Sequence, residues 1–135
     1  MKGKSPIINL SIIKQSVDEE RKFDLDERTF QFALAIRKLV GSYRWTREQW
    51  TDVDQVLRST GSVASNYAEA NNPVSSADFS FRLKICRKES GESRLWIRLL
   101  GSTSTDDRIP ILRGLFKEAD ELTRIFNSIL KKLGD

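Results

Sequence analysis

The chain has 135 residues, 31% charged and 39% apolar, with a formal net charge of +4. It contains no histidine and one cysteine, Cys86. That excludes His-based triads, zinc and di-iron sites built on His or paired Cys, and any disulfide within the chain. No phosphate-binding glycine loop or nucleophile-elbow motif occurs, so no catalytic residue, metal or cofactor is assigned. No apolar run approaches the ~20 residues of a membrane span. The N-terminus lacks the apolar core and cleavage site of a signal peptide. One unpaired cysteine fits a reducing compartment, so a cytoplasmic location is expected.

Residues 1–22 include Ile7, Ile8, Leu10, Ile12 and Ile13. They are set apart as an N-terminal extension that docks on the rest of the chain or on a second copy. From residue 23 the apolar spacing is three and four, not two, which predicts helices and no strand. The first helix is expected over about 26–43, with Phe30, Ala33, Leu34, Ile36, Leu39 and Val40 on a wide apolar arc. A second is expected over about 52–70, begun by Thr46 with Gln49 or by Thr51 with Asp54. Its stripe is Val53, Leu57, Thr60, Ala64 and Tyr67, widened by Val56 and Val63, and Pro73 closes it.

The third helix is expected from Ser75, capped toward Asp78, to about Leu100. Phe79, Leu83, Cys86, Ser90, Ser93, Ile97 and Leu100 form its seam, and Phe81, Ile85, Trp96 and Leu99 a second apolar side. The fourth covers about 109–132, with Leu112, Leu115, Ala119, Leu122, Phe126, Ile129 and Leu133 alternating three and four. Short links make neighbours antiparallel. The expected fold is therefore all-α: an antiparallel four-helix bundle, up-down-up-down, over 23–135.

Two polar groups stand out. On the second helix Ser62, Asn66 and Glu69 follow one line, with Arg58 and Ser59 beside it. Such a row reads best as a structural polar seam fixing helix register. On the third helix Lys84, Arg87, Arg94 and Arg98 share an arc about 80° wide at 100° per residue, with Gly91 among them. The stretch 73–101 carries six cationic and three anionic residues. The arc is either a solvated face or a phosphate-binding one. Trp45, Trp50 and Trp96 read as core or interface, and Cys86 as a small buried hydrophobe. A hydrolase built on Glu69, Asp78 or Glu89 lacks any supporting His, Cys pair or glycine loop.

The run Leu57-Arg58-Ser59-Thr60-Gly61-Ser62-Val63-Ala64-Ser65-Asn66-Tyr67-Ala68-Glu69-Ala70 resembles a signature, L-R-S-x-x-S-[IV]-x-x-N-x-x-E-[AG]. This signature belongs to the bacterial four-helix-bundle proteins encoded in intervening sequences of 23S rRNA genes. Ser76, Asp78-Phe79, Lys88-Glu89, Glu92 and Trp96 to Leu100 resemble that family's second block, and Glu118 to Leu122 its closing segment. Leu95 stands where members often carry Tyr. The resemblance implies a non-enzymatic protomer that assembles as a ring-like homopentamer. By analogy of fold, the accessory proteins of diversity-generating retroelements, which bind a reverse transcriptase and nucleic acid, suggest an RNA- or DNA-binding accessory. The alternative function is a protein–protein adaptor.

Overall fold

The computed structural model describes residues 10–135, with side chains from Leu25 onward. Four helices follow in order: α1 Leu10–Ser42, α2 Arg47–Ala70, α3 Ser76–Ser102 and α4 Arg108–Lys132. There is no strand among the described residues. α1 begins at Leu10, not near Asp26. Neither Gly nor Pro interrupts the chain between Pro6 and Gly41, so the backbone meets no helix breaker. The expected docking of Ile7 to Ile13 falls outside the described side chains.

α2 also starts early, at Arg47, because Thr46 and Gln49 form a reciprocal capping box. The Thr46 hydroxyl accepts from the Gln49 amide and the Gln49 side chain accepts from the Thr46 amide. Ser75 caps α3 by accepting from the Asp78 amide at 3.0 Å.

Among the described residues the backbones of α1–α2, α2–α3, α3–α4 and α4–α1 lie side by side, and the diagonal α2–α4 pair meets through side chains in the core, where the Tyr67 and Phe126 rings lie 6.1 Å apart. Both ends fix the direction of each helix. At one end the α1–α2 link meets the α3–α4 link. There Arg108 lies 4.5 Å over the Tyr43 ring and 4.6 Å over Trp45. Its guanidinium donates to the Arg44 carbonyl at 2.9 Å, and the Tyr43 hydroxyl donates to Asp107. The Gln49 amide reaches the Thr103 carbonyl at 3.2 Å. At the other end Ser80, near the start of α3, and Asp135, beyond α4, are hydrogen-bonded. Only an up-down-up-down bundle brings these pairs together.

The core is built from one stripe per helix: Phe32, Ile36 and Leu39; Val53, Val56, Val63 and Tyr67; Leu83, Cys86 and Ile97; Leu112, Leu122, Phe126 and Leu130. On α1 the buried aromatic is Phe32, at 2% exposure, while Phe30 is 54% exposed. Ile36, Leu39 and Phe32 follow spacings of four and three, which leaves Phe30 on the opposite side. On α2 the stripe centres on Val56 and Val63, with Leu57 and Ala64 at its flank. On α4 the final turn buries Leu130, with Ile129 half-buried and Leu133 exposed. The α3 seam is as expected from Leu83 to Leu100.

Candidate nucleic-acid interface

Small hydroxyl residues let α2 and α3 approach closely. The Ser93 hydroxyl donates to the Glu89 carbonyl at 2.8 Å, so Ser59 is left to donate to Ser93 at 2.7 Å. Both serines are fully buried, so this pair satisfies polar groups that burial would otherwise penalise. Around it Arg58 bridges Glu89 at 3.2 Å and Glu92 at 2.8 Å. Asn66 donates to the Ser62 carbonyl and hydroxyl and accepts from Arg82 of α3 at 3.1 Å. The structure therefore gathers Arg58, Ser62 and Asn66 along the α2–α3 seam. It does not bring Glu69 there: that side chain is exposed, with no hydrogen bond among the described residues. Glu69 follows Asn66 by three residues, one step too far toward solvent. Ser59 and Ser93 form the buried centre of the seam.

Cys86 is buried, with its thiol on the Val63 carbonyl, and burial pushes its pKa up to about 12. It is a core residue, inert as a nucleophile near neutral pH. Trp45 is buried and donates to the Val40 carbonyl at 3.0 Å. Trp50 is 43% exposed.

The four arc residues of α3 lie along its boundary with α4. Lys84 faces Asp135 at 3.6 Å, Arg87 donates to Asn127 at 3.1 Å, and Arg94 pairs with Asp120 at 2.7 Å. Arg98 is exposed, with no ion pair among the described residues. Gly91 does not open the surface to a partner. The space a Cβ would take there is lined by Arg94's own guanidinium at 3.3 Å.

The α4 side of this boundary carries further cations that the segment's overall charge conceals. Residues 102–135 are neutral in sum, but the charges divide by face. Glu118 and Glu121 turn toward α1, where Arg28 holds both at 2.7 and 2.6 Å. Arg113, Lys117, Arg124 and Lys131 recur at spacings of four and seven, on the side of Asp120 and Asn127. The α3–α4 face thus presents eight cationic side chains, Lys84, Arg87, Arg94, Arg98, Arg113, Lys117, Arg124 and Lys131, against the carboxylates of Asp120 and Asp135. Hydrogen bonds from Arg94 and Arg124 hold the Asp120 carboxyl below the usual range. The Ser80 hydroxyl and then the Lys84 ammonium do the same for Asp135. These two anions stay charged at neutral pH; Asp120 orders Arg94 and Arg124 and Asp135 orders Lys84, without cancelling the face. The periodicity of the α4 cations was the signal that could have found this face from sequence.

At the α3–α4 link end of the strip lies an open cavity of about 440 Å³. It is lined by Ile97, Gly101, Leu112 and Phe116, with Arg98 and Arg113 also lining it. Among the described residues no three His, Cys, Asp or Glu side chains group as a metal site. Among the described residues no helix is long and apolar enough to cross a membrane.

A family model described as 23S rRNA-intervening sequence protein matches residues 21–128. This chain belongs to that family. The intervening-sequence family description names no reaction. A crystal structure of a protein of unknown function from the S23 ribosomal protein family, from Bacteroides thetaiotaomicron, is similar to it, with a TM-score of 0.68 and 26% identity. That likeness covers 82% of this chain and 97% of the other. No curated protein matches.

Proposed function

We propose that this family member is a non-enzymatic homo-oligomer that binds nucleic acid through the α3–α4 face of each bundle. The observation that carries the reading is the eight-cation, two-helix strip, of which Arg98, Arg113, Lys117 and Lys131 make no ion pair among the described residues. Cations in a row along about 20 Å of helix can each contact a phosphate of one passing strand. Phosphate contacts of this kind position a strand without reading its sequence. The family's description, which names 23S rRNA, and the neighbour's assignment to a ribosomal protein family accord with an RNA-linked role. Such a bundle suits an accessory to a nucleic-acid enzyme, a reverse transcriptase being one kind.

Self-association is supported by Phe81, Leu95 and Leu99, which are 55%, 49% and 38% exposed on the outer ridge of α3. Apolar side chains grouped on one ridge are candidates for burial against another copy. Repetition of the strip around an oligomer, a pentamer as the family suggests, multiplies phosphate contacts along one strand.

A gel-shift titration with single-stranded and structured RNA tests this reading. The wild type is retained at low salt. Arg98→Glu with Lys117→Glu weakens retention while the helical spectrum stays unchanged, since both side chains are at least partly exposed and make no ion pair among the described residues. Absence of retention by the wild type, or equal binding by the double variant, transfers the reading to a protein–protein adaptor.

A further inference from the structure

We infer that the cavity between α3 and α4 receives one unpaired nucleobase, whose neighbouring phosphates rest on Arg98 and Arg113; this inference deepens the proposed nucleic-acid reading and rests on it. Ile97 and Leu112, each 1% exposed, form a dry floor. Phe116 is half-buried and lines the same space, giving a ring on which a base can stack. Gly101 contributes the opening: its missing side chain leaves the Leu112 Cβ as the nearest neighbour of an added Cβ, at 3.9 Å. The volume of about 440 Å³ falls within the roughly 300–1,000 Å³ of small-molecule sites.

The charges select the occupant. Arg98 and Arg113 both line the cavity, and neither is engaged by a carboxylate among the described residues. An apolar recess with a ring in its wall and two guanidiniums that no described carboxylate engages suits a flat heterocycle that offers its π-face and is joined to anions on both sides, which is a nucleotide within a strand. A base paired in a duplex cannot enter, because its faces are already stacked. The cavity also lies at the end of the cationic strip, so a strand tracking the strip passes its opening. A second depression, near Pro73 and Leu133, has Lys84 as its one cation among the described residues, and Asp135 already holds it.

Three RNA probes of equal length separate base capture from phosphate binding: a mixed-sequence single strand, an abasic strand, and the duplex. The wild type binds the single strand most tightly and the abasic strand roughly ten-fold more weakly, the loss of one stacked base. Gly101→Met occupies the recess from a position where an added Cβ meets only the Leu112 Cβ, at 3.9 Å, and lowers single-strand affinity by the same roughly ten-fold while leaving abasic and duplex affinities unchanged. Phe116→Leu keeps an apolar side chain but removes the ring, and produces the same selective loss. Equal binding of the single and abasic strands by the wild type, or unchanged single-strand affinity in both variants, overturns base capture alone. Failure of the wild type to bind any of the three overturns the nucleic-acid reading and base capture with it.

Discussion

Asp120 is the residue that sets the strength of the cationic face. Its carboxylate holds Arg94 at 2.7 Å and Arg124 at 2.9 Å, so both guanidiniums are partly satisfied before any phosphate arrives. Asp120→Asn removes one negative charge and loosens both. Its expected effect is tighter nucleic-acid binding and a steeper salt dependence, by about one further phosphate contact; a gel-shift series at several salt concentrations reads both. The same carboxylates govern acid stability. Asp106 is held below the usual range by the Arg108 hydrogen bond, Asp120 by Arg94 and Arg124, and Asp135 by Ser80 and Lys84. Each folded-state pKa is lower than its unfolded value, so the folded state binds fewer protons. The stabilisation is present above the ordinary Asp range near about 3.9 and is lost as pH falls through the lowered folded values. Melting followed by circular dichroism should show a midpoint falling with pH below about 4 and flat between about 5 and 7. The polar residues of α2 were legible from sequence only in part. Asn66 and Arg58 reach α3 as a seam requires, whereas Glu69 shares their line but ends in solvent, because position along a stripe does not say where the neighbouring helix diverges.

At the scale of the element, the boundary between α1 and α4 is the most sparsely packed of the four among the described residues. The bidentate Arg28–Glu118 pair, at 3.1 and 2.7 Å, with Glu121 at 2.6 Å, spans that boundary. Arg28→Ala should destabilise the fold by about 1 kcal/mol, at the upper end for a partly exposed pair. Phe126→Ala, at a fully buried α4 position, should cost roughly 3–5 kcal/mol. Chemical denaturation of both variants checks this order of effects. The α3 seam and most of the α4 seam were readable because their apolar residues repeat without interruption. α1 was less so: Phe30 and Phe32 compete for one face, and only packing against neighbouring helices decides between them. Its early start was legible in hindsight from the lack of any breaker after Pro6, yet apolar periodicity is weak there. The α4 contribution to the cationic face was missed for a simpler reason. Net charge summed along a segment averages over faces that a helix separates by half a turn.

At the scale of the whole molecule, the charges of α3 and α4 divide by face among the described residues: Glu118 and Glu121 close the bundle toward α1, and the cations of the strip remain outward on one face. The exposed Phe81, Leu95 and Leu99 ridge lies next to that face, so self-association would set the strips of neighbouring copies side by side. Light scattering at micromolar concentration should give a mass several times 15.5 kDa, and Leu95→Glu with Leu99→Glu should shift it toward the monomer. A four-helix bundle with this connectivity is specified by local signals, caps, spacing and link length, which is why the whole fold could be read from sequence, whereas only the α3 half of the cationic face was. The most direct test of the nucleic-acid interface is the slope of log affinity against log salt for single-stranded RNA. With four to six phosphates engaged, the wild type should give roughly −3 to −4, and Arg98→Glu with Lys117→Glu should flatten it by about 1.4. A slope near zero, or one that the double variant leaves unchanged, would contradict phosphate binding by the α3–α4 face.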